Sequence, residues 1–236
     1  MNETGDKVFK PNEAFVKKAH IKSMDEYKKM YKESIEHPDK FWGKMAEDFK
    51  WFKKWNTVRE FDFVEGKIKF FDGGKTNVTY NCLDRHLEKK GDKVAYLWEG
   101  NEPGEDKKIT YRQLHEEVCK FANVLKKHGV KKGDRVCLYM QMIPELAIGM
   151  LACARIGAVH SVVFGAFSPD SLKDRIQDSS CKILVTQDTA LRGKKNDIPM
   201  KTNADKALES CPSIEKTIVV KRTGLDVPMK GGRDVW

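Results

Sequence analysis

The sequence predicts an α/β fold in which a helical, aromatic-rich N-terminal extension with short antiparallel strands precedes a doubly wound, largely parallel sheet. Two observations carry this prediction. From residue 94 onward, apolar strand segments alternate five times with helical segments over short links, which is typical of a parallel sheet covered on both faces. Upstream, a cluster of aromatic side chains at 41–55 is followed by an alternating, turn-rich stretch.

The predicted α/β body begins with a strand and a strongly marked helix. Thr110 and Gln113 have the spacing of a capping box, which predicts a helix start. Residues 144–157 are apolar almost all round, which predicts a helix buried between layers. A Ser-Pro pair at 168–169 opens a further helix, and another is predicted over about 203–210. The predicted strands are VAYLWEG (94–100), DRVCLYM (134–140), VHSVVFG (159–165), KILVTQD (182–188) and KTIVVKR (216–222), and the tail 223–236 is predicted as an exposed loop.

The N-terminal extension is predicted as helices followed by a hairpin. Residues 1–22 are predicted to form a flexible arm. Ser23 can cap a helix to about His37, and Pro38 can open a second helix. The alternating residues 59–74 predict short antiparallel strands. An aromatic stripe on the second helix is predicted to be core rather than a ligand box and to pin the extension onto the larger body; it consists of Phe41, Trp42, Met45, Ala46 and Phe49, followed by Trp51, Phe52 and Trp55.

The composition narrows the classes of function. The formal net charge of +9 suggests a nucleic-acid partner, but acids separate the lysines on many predicted helix surfaces, which favours a solvated face. No apolar run approaches the about 20 residues of a transmembrane helix, and the N-terminus lacks the apolar segment of a secretory signal. The six cysteines stand singly without a CxxC pair, which predicts free thiols in a reducing, cytoplasmic compartment.

The stretch FFDGGKTNVTYNCLDRHL, residues 70–87, is the most specific local pattern. Its Gly73-Gly74 pair predicts a tight turn, because glycine reaches positive φ without steric cost. Asn81 is predicted to cap a helix that ends at Gly91.

The same stretch contains residue types that could carry chemistry. Cys82 and His86 have metal-ligand spacing on one helix face, but no further ligand set accompanies them, so no metal site is predicted. Consecutive residues on a helix point in different directions. The Asp84-Arg85-His86 triplet is therefore predicted to form a structural hydrogen-bond network rather than an acid–base group.

Two loops at the carboxyl ends of predicted strands are the candidate ligand sites, since α/β sheets bind ligands there. In FGAFSP (164–169), Gly165 and Ala166 permit close backbone approach, and Ser168 begins a helix whose N–H groups could meet an anion. QDTALRGKKNDIPMK (187–201) carries four cations suited to phosphate. For the first loop, the alternative to an anion site is an ordinary capped helix. For the second loop, the alternative to a phosphate site is a solvated basic turn. The four cations are Arg192, Lys194, Lys195 and Lys201.

Five segments of the sequence together resemble one known family. FWGKMAEDFKWFKKW, FFDGGKTNVTYNCLDRHL, ITYRQLHEEVCKFANVLKKHGVKKGDRV, IPELAIGMLACARIGAVHSVVFGAFSPDSLKDRI and LRGKKNDIPMK occur in this order. Together they resemble the N-terminal part of the acetyl-coenzyme A synthetases, the acetate-activating branch of the adenylate-forming acyl-CoA synthetases. The resemblance runs from about residue 8 to Trp236. It implies an arm at 1–22, a family-type extension at 23–83, and at 84–236 the first part of an AMP-binding domain, truncated before its phosphate loop.

The resemblance implies a two-step ligase reaction. ATP and acetate form acetyl-adenylate and pyrophosphate with Mg²⁺, and the CoA thiol then attacks to give acetyl-CoA and AMP. The motifs for ATP, Mg²⁺ and catalysis lie downstream in the family, so no catalytic residue and no metal ligand is assigned here. The chain is therefore expected to be an inactive fragment that lacks the C-terminal part of the enzyme.

Part of a CoA site can be carried over from the resemblance. A basic R-x-G-[KR] stretch that contacts the nucleotide end of CoA corresponds to Arg192, Gly193, Lys194 and Lys195. The third position here is lysine rather than glycine, which leaves open which of the two lysines meets phosphate. Phe164 and Gly165 correspond to family positions that line the same groove.

Three alternatives stay open beside the acetate–CoA ligase. They are a propionate–CoA ligase of the same family, a stand-alone CoA- or nucleotide-binding module, and a basic nucleic-acid binder. The expected partners are small molecules, namely acetate, ATP and CoA, with no nucleic acid and no membrane. A homo-oligomer is compatible with the sequence, which leaves the oligomeric state open.

Overall fold

A computed structural model describes residues 9–236, apart from the side chain of Asn196, and divides them into two compact units. The first unit ends at Lys75, and the second runs Thr76–Trp236. Residues 1–8 of the predicted arm lie outside the described residues.

Three helices open the first unit. Helix α1 (Glu13–Lys18) lies in the segment predicted as an arm, where Asn12 caps it by accepting from the N–H groups of Ala14 and Phe15. Helices α2 (Met24–Glu36) and α3 (Pro38–Ala46) confirm the predicted start signals. The hydroxyl of Ser23 accepts from a first-turn N–H of α2, and α3 begins with its proline.

The aromatic stripe of α3 is more exposed than predicted. Trp42, Phe49 and Phe52 are 45%, 53% and 59% exposed, so the prediction that they are core is wrong. The physical reason for Phe49 is that α3 ends at Ala46, so the helical face does not continue that far. Farther on, Trp51 packs edge-on against Trp55 with ring centroids 4.9 Å apart and forms a small cluster with Phe71.

The first unit closes with the predicted hairpin. Strands β1 (Thr57–Asp62) and β2 (Lys67–Asp72) pair antiparallel. The predicted tight turn follows β2, since the N–H of Gly74 donates to the carbonyl of Phe71 at 3.0 Å.

The second unit begins with a helix whose start was predicted wrongly. The cap is Asn77, which accepts from the N–H of Tyr80, and not Asn81. The side chain of Asn81 instead accepts from Arg85 at 3.1 Å. Leu83, at φ −121° and ψ −67°, interrupts the predicted continuous helix. The resulting pieces are α4 (Val78–Cys82), a 3₁₀ turn (Asp84–His86) and α5 (Leu87–Lys90).

The first predicted strand of the parallel sheet belongs elsewhere. Strand β3 (Val94–Glu99) pairs antiparallel with β4 (Asp106–Thr110) in a separate hairpin. The reason is the short turn between them, where the N–H of Gly100 donates to the carbonyl of Glu105 at 2.6 Å. Such a turn supports an antiparallel pair, whereas a parallel neighbour requires a long crossover.

A five-stranded parallel sheet forms the centre of the second unit. Its order is β11-β10-β7-β5-β6. Counted from the β6 edge, the sheet strands follow the chain order 2-1-3-4-5, so the winding reverses between β5 and β7. The strands are β5 (Arg135–Met140), β6 (Val159–Phe164), β7 (Ile183–Gln187), β10 (Lys216–Val220) and β11 (Asp234–Val235).

Helices cover both faces of this sheet, which confirms the predicted doubly wound fold. Because side chains alternate along a strand, Val136 and Leu138 of β5 enter one core cluster and Cys137 and Tyr139 enter the other. The first cluster includes residues of α6 (Tyr111–Lys127) and α7 (Pro144–Ile156), and the second includes residues of α8 (Pro169–Ser179) and α9 (Met200–Leu208). The predicted capping box opens α6.

The two edges of the sheet differ. At one edge, the tail predicted as an exposed loop contributes β11, so that prediction is wrong. The tail is held because the carboxylate of Asp234 is fully buried and lies 2.8 Å from the Nζ of Lys201. At the other edge, β6 has one neighbouring strand in the described sheet, and Val159 and Val162 are exposed there.

Candidate functional site

A cavity of about 550 Å³ opens where the parallel strands end. It lies at the carboxyl ends of β5 and β6 and beside the reversal of winding between β5 and β7, the position at which α/β sheets bind ligands. A hairpin that follows β7, formed by β8 (Ala190–Arg192) and β9 (Lys195–Ile198), contributes to one wall. The turn between β3 and β4 contributes to another.

The structure brings three of the six predicted site residues into this lining, namely Phe164, Gly165 and Arg192. Gly193 lies next to them at the turn of the hairpin, with a positive φ of 56° that suits glycine. Lys194 and Lys195 are exposed on the hairpin and do not line the cavity.

Phe164 and Gly165 form the end of β6 at the cavity. The Phe164 ring is 59% exposed and packs edge-on against Phe167 with centroids 5.9 Å apart, which leaves an aromatic surface open to a ligand. A Cβ on Gly165 would lie 3.1 Å from the carbonyl oxygen of Met140. Gly165 therefore packs tightly against the end of β5, and the predicted close approach of a ligand to its backbone stays a prediction.

The predicted anion site at the following helix is occupied by the protein's own cap. The hydroxyl of Ser168 accepts from the N–H of Ser171 at 3.3 Å and begins α8. The ordinary capped helix, which was the alternative, describes this segment.

Arg192 is the cation best placed for a ligand. Its side chain is exposed at the cavity rim and makes no ion pair or hydrogen bond with any of the described side chains or backbone groups. A guanidinium offers a planar fork that matches a phosphate group. The segment around it is a hairpin and not the loop that was predicted.

Lys201 is not a ligand cation, contrary to the prediction. It lies on α9 and is fully buried, with its ammonium 2.7 Å from Asp205 and 2.8 Å from Asp234. It also donates to the carbonyl of Pro228 at 2.9 Å. Its charge is neutralised internally, because a buried ammonium requires such partners.

Gln141, which the sequence reasoning missed, fixes the hairpin to the end of β5. Its amide oxygen accepts from the N–H of Leu191 at 3.0 Å, and its amide nitrogen donates to the carbonyl of Leu191 at 2.6 Å. Gln187 accepts from the backbone N–H of Gln141 at 2.9 Å. The available signal was a glutamine at the carboxyl end of each of two apolar strands, where polar side chains meet at one sheet edge.

Trp98 and Arg222 were also missed, and both line the cavity. The indole N–H of Trp98 donates to the carbonyl of Met142 at 2.8 Å, and the guanidinium of Arg222 lies 5.2 Å from the centroid of its ring. Arg222 pairs with Glu105, and this hydrogen bond lowers the pKa of the Glu105 carboxyl. No local sequence pattern links these three residues, because the contacts span more than a hundred positions.

Asp188 joins the ends of β7 and β10 beneath the cavity. Its fully buried carboxylate accepts backbone N–H groups from Thr189 at 2.7 Å, Arg222 at 2.9 Å and Gly224 at 2.8 Å. Backbone donors satisfy the buried charge, so the role of Asp188 here is structural.

The Asp84 region also has a structural role, which confirms the prediction for the triplet. Arg155 donates to both carboxylate oxygens of Asp84 at 2.8 Å, and His115 lies 3.3 Å from one of them. Burial acts to raise the pKa of Asp84, but the hydrogen bonds and charge of Arg155 outweigh it and lower the pKa. Among residues 9–236, no three His, Cys, Asp or Glu side chains converge as metal ligands.

Comparison with known proteins assigns the family. The AMP-binding enzyme family matches residues 83–233, and the acetyl-coenzyme A synthetase N-terminus family matches residues 27–82. The chain belongs to the AMP-binding enzyme family and has the N-terminal region that is typical of acetyl-coenzyme A synthetases.

Two individual relatives support the family assignment. The chain is 55% identical over 231 residues to an acetyl-coenzyme A synthetase of Alkalilimnicola ehrlichii, covering 98% of this chain and 36% of that protein. It is 57% identical over 225 residues to an acetyl-coenzyme A synthetase of Saccharophagus degradans, covering 95% of this chain and 35% of the relative. The chain thus spans about a third of the length of these relatives.

A solved structure shares the fold. The acetoacetyl-CoA synthetase from Streptomyces lividans superposes with a TM-score of 0.80 at 24% identity, covering 94% of this chain and 34% of that one. No helix in the described part of the chain is long and apolar enough to cross a membrane.

Proposed function

We propose that the whole protein is an acetate–CoA ligase that forms acetyl-CoA, AMP and pyrophosphate from ATP, acetate and CoA through acetyl-adenylate. The support is the identity of 55% to an acetyl-coenzyme A synthetase over almost the entire chain. We propose a domain division at 83/84, into a family-type extension and the first part of the AMP-binding domain, supported by two family matches that meet one residue earlier, between residues 82 and 83.

The role proposed for this chain is to supply part of the CoA site. The observation that carries it is the cavity at the strand ends, which gathers Arg192, Phe164 and Gly165. The free guanidinium of Arg192 suits a phosphate of the nucleotide end. The exposed ring of Phe164 suits stacking with a base, and the missing side chain at Gly165 leaves backbone accessible at the same wall.

Catalysis is assigned to segments outside this chain. The chain spans about a third of the length of its relatives, so the Mg²⁺ ligands, the ATP contacts and the catalytic groups are proposed to lie in the remainder. The chain alone is expected to release no pyrophosphate from ATP and acetate, because binding CoA does not activate a carboxylate. Measurable acetate-dependent release by the 236-residue chain would contradict this assignment.

Calorimetric titration with CoA tests the site. The wild-type chain should bind CoA, and Arg192→Ala should weaken binding about tenfold, since a charge-assisted hydrogen bond is worth roughly 1.5–3 kcal/mol. Arg112→Ala is the matched control, because this arginine pairs with Asp92 on the surface and lies outside the cavity lining. Equal losses for the two variants would contradict the proposed site.

The acyl substrate is tested on the whole protein. Pyrophosphate release with acetate should exceed release with propionate at equal concentration, and the reverse order would favour a propionate–CoA ligase.

We also propose a cytoplasmic location, supported by the six cysteines, all of which are free thiols in the described chain. Thiol titration of unreduced, unfolded protein should therefore find all six reactive.

A further inference from the structure

Strand β8 has a free edge that two side-chain amides occupy. Ala190 and Arg192 pair with β9 across an irregular register, and the backbone groups of Leu191 and of the following Gly193 bond to side chains outside the hairpin. Gln141 bonds both the N–H and the carbonyl of Leu191. A second amide side chain does the same at Gly193, and together the two replace a neighbouring strand.

The second amide is that of Asn101, in the turn between β3 and β4. Its oxygen accepts from the N–H of Gly193 at 2.8 Å, and its nitrogen donates to the carbonyl of Gly193 at 2.9 Å. The same amide nitrogen also donates to a carboxylate oxygen of Glu102, with the nitrogen and oxygen 2.5 Å apart. Because Gly193 offers one donor and one acceptor, this pairing fixes which way the amide faces.

Hydrogen bonds also connect Asn101 to the parallel sheet. Its backbone N–H donates to Glu105 at 2.8 Å, and Glu105 pairs with Arg222. The backbone N–H of Arg222 donates to the buried carboxylate of Asp188 at 2.9 Å. A continuous set of hydrogen bonds therefore connects the end of β7 to the turn of the β8–β9 hairpin.

We infer that Asn101 is a positioning residue for ligand binding: by clamping Gly193, it holds the neighbouring Arg192 at the rim of the cavity, facing the wall formed by Phe164 and Gly165. The inference rests on the proposed CoA site for the identity of the ligand. The clamp itself rests on geometry within this chain. Asn101 need not touch CoA, because its effect passes through the backbone of the hairpin.

Hydrogen exchange tests the clamp without any ligand. In Asn101→Ala, the Gly193 amide should exchange on the order of five- to tenfold faster, because its acceptor is gone. The Leu191 amide, held by Gln141, should keep its wild-type rate and is the internal control. Asn12→Ala, which removes a cap on α1, is the control for asparagine loss elsewhere.

A milder variant guards against misfolding of the alanine protein. Asn101→Ser retains a hydroxyl that cannot bond both groups of Gly193 over the same span, so faster exchange at Gly193 is again expected. Unchanged exchange at Gly193 in whichever variant folds would overturn the clamp.

A double-mutant cycle with CoA tests the positioning role. Asn101→Ala should weaken CoA binding about three- to tenfold in the wild-type background but less than twofold in the Arg192→Ala background. A purely structural effect would give the same loss in both backgrounds, and that result would overturn the inference. Absence of CoA binding by the wild-type chain would instead contradict the proposed function, and the exchange result would still decide whether the clamp exists.

Discussion

The unpaired state of Arg192 separates it from three arginines of the second unit that pair with acids. Arg155 binds Asp84, Arg222 binds Glu105, and Arg233 binds Asp234, whereas Arg192 has no internal acid among the described residues. A guanidinium that is already paired with an acid has little to offer a phosphate, so the lack of a partner at the cavity rim is the reason we propose Arg192 as a ligand residue.

Gly165 occupies a position with little space for a side chain. Because a Cβ added here would lie 3.1 Å from the carbonyl oxygen of Met140, Gly165→Ala must displace the end of β5. We expect a loss of about 1–2 kcal/mol in the free energy of unfolding, measured by urea denaturation. Gly231→Ala, where a Cβ would meet nothing within 4 Å, is the matched control and should unfold close to wild type.

The Asp84–Arg155 pair predicts a pH-dependent contribution to stability. The pKa of Asp84 is lowered in the folded state, so the pair stabilises above the unfolded value of about 4 and loses its effect as pH falls through the folded pKa. Asp84→Asn should cost about 1–3 kcal/mol at pH 7 in urea unfolding, and the difference from wild type should shrink below pH 4.

The exposed Arg112–Asp92 pair supplies the control for that experiment. Asp92→Asn should leave the stability unchanged at every pH, because solvent screens the pair. A pH-independent effect of Asp84→Asn would show that the ion pair is not its cause.

Among the elements, β11 shows how a two-residue strand is kept in the sheet. Arg233 and Lys201 surround the buried carboxylate of Asp234, and their hydrogen bonds hold its pKa well below the usual range although burial acts to raise it. Arg233 also bonds Asp205, the second acid beside Lys201. These ion pairs anchor the tail, and Val235 packs beside them against the first core cluster.

Removing one member of this cluster should be costly. Asp234→Asn leaves the buried Lys201 with Asp205 as its remaining acid, so we expect a loss of about 3–5 kcal/mol in the free energy of unfolding. The double variant Lys201→Met with Asp234→Leu should be more stable than Asp234→Asn alone. A single variant as stable as wild type would contradict the anchoring role of the pair.

The sequence predicted the parts of the fold that depend on local pattern. The capping box of α6, the buried α7 and the strands β5, β6, β7 and β10 follow from periodicity and caps, and they are present. The pairing of β3 with β4 and the burial of Lys201 were not predictable in this way. Each depends on a partner supplied by the turn or by the far end of the chain.

The candidate site was predictable to a similar degree. Fold class directed attention to the loops at the carboxyl ends of strands, which contain Gly165 and Arg192, and the family resemblance added Phe164. Asn101 and Trp98 were not predicted as site residues, because a hairpin outside the parallel sheet brings them to the cavity. No spacing rule links residue 101 with residue 193.

On the scale of the α/β unit, the β6 edge is an open sheet edge with exposed apolar side chains. Val162 is 43% exposed on a strand with one described neighbour, and such edges promote pairing between molecules. The isolated chain should therefore self-associate with rising concentration in sedimentation velocity, and Val162→Lys should reduce this without lowering the melting temperature. Concentration-independent sedimentation of the wild-type chain would contradict the expectation.

We propose that the cavity recognises the nucleotide end of CoA through Arg192. Calorimetric titration with adenosine 3′,5′-bisphosphate and, separately, with pantetheine measures this recognition, because these two ligands divide CoA into its charged and uncharged ends. We expect the bisphosphate to bind the wild-type chain, Arg192→Ala to weaken this binding about tenfold, and pantetheine to bind weakly to both proteins. Binding of pantetheine as tight as that of CoA, or bisphosphate binding that is indifferent to Arg192→Ala, would contradict it.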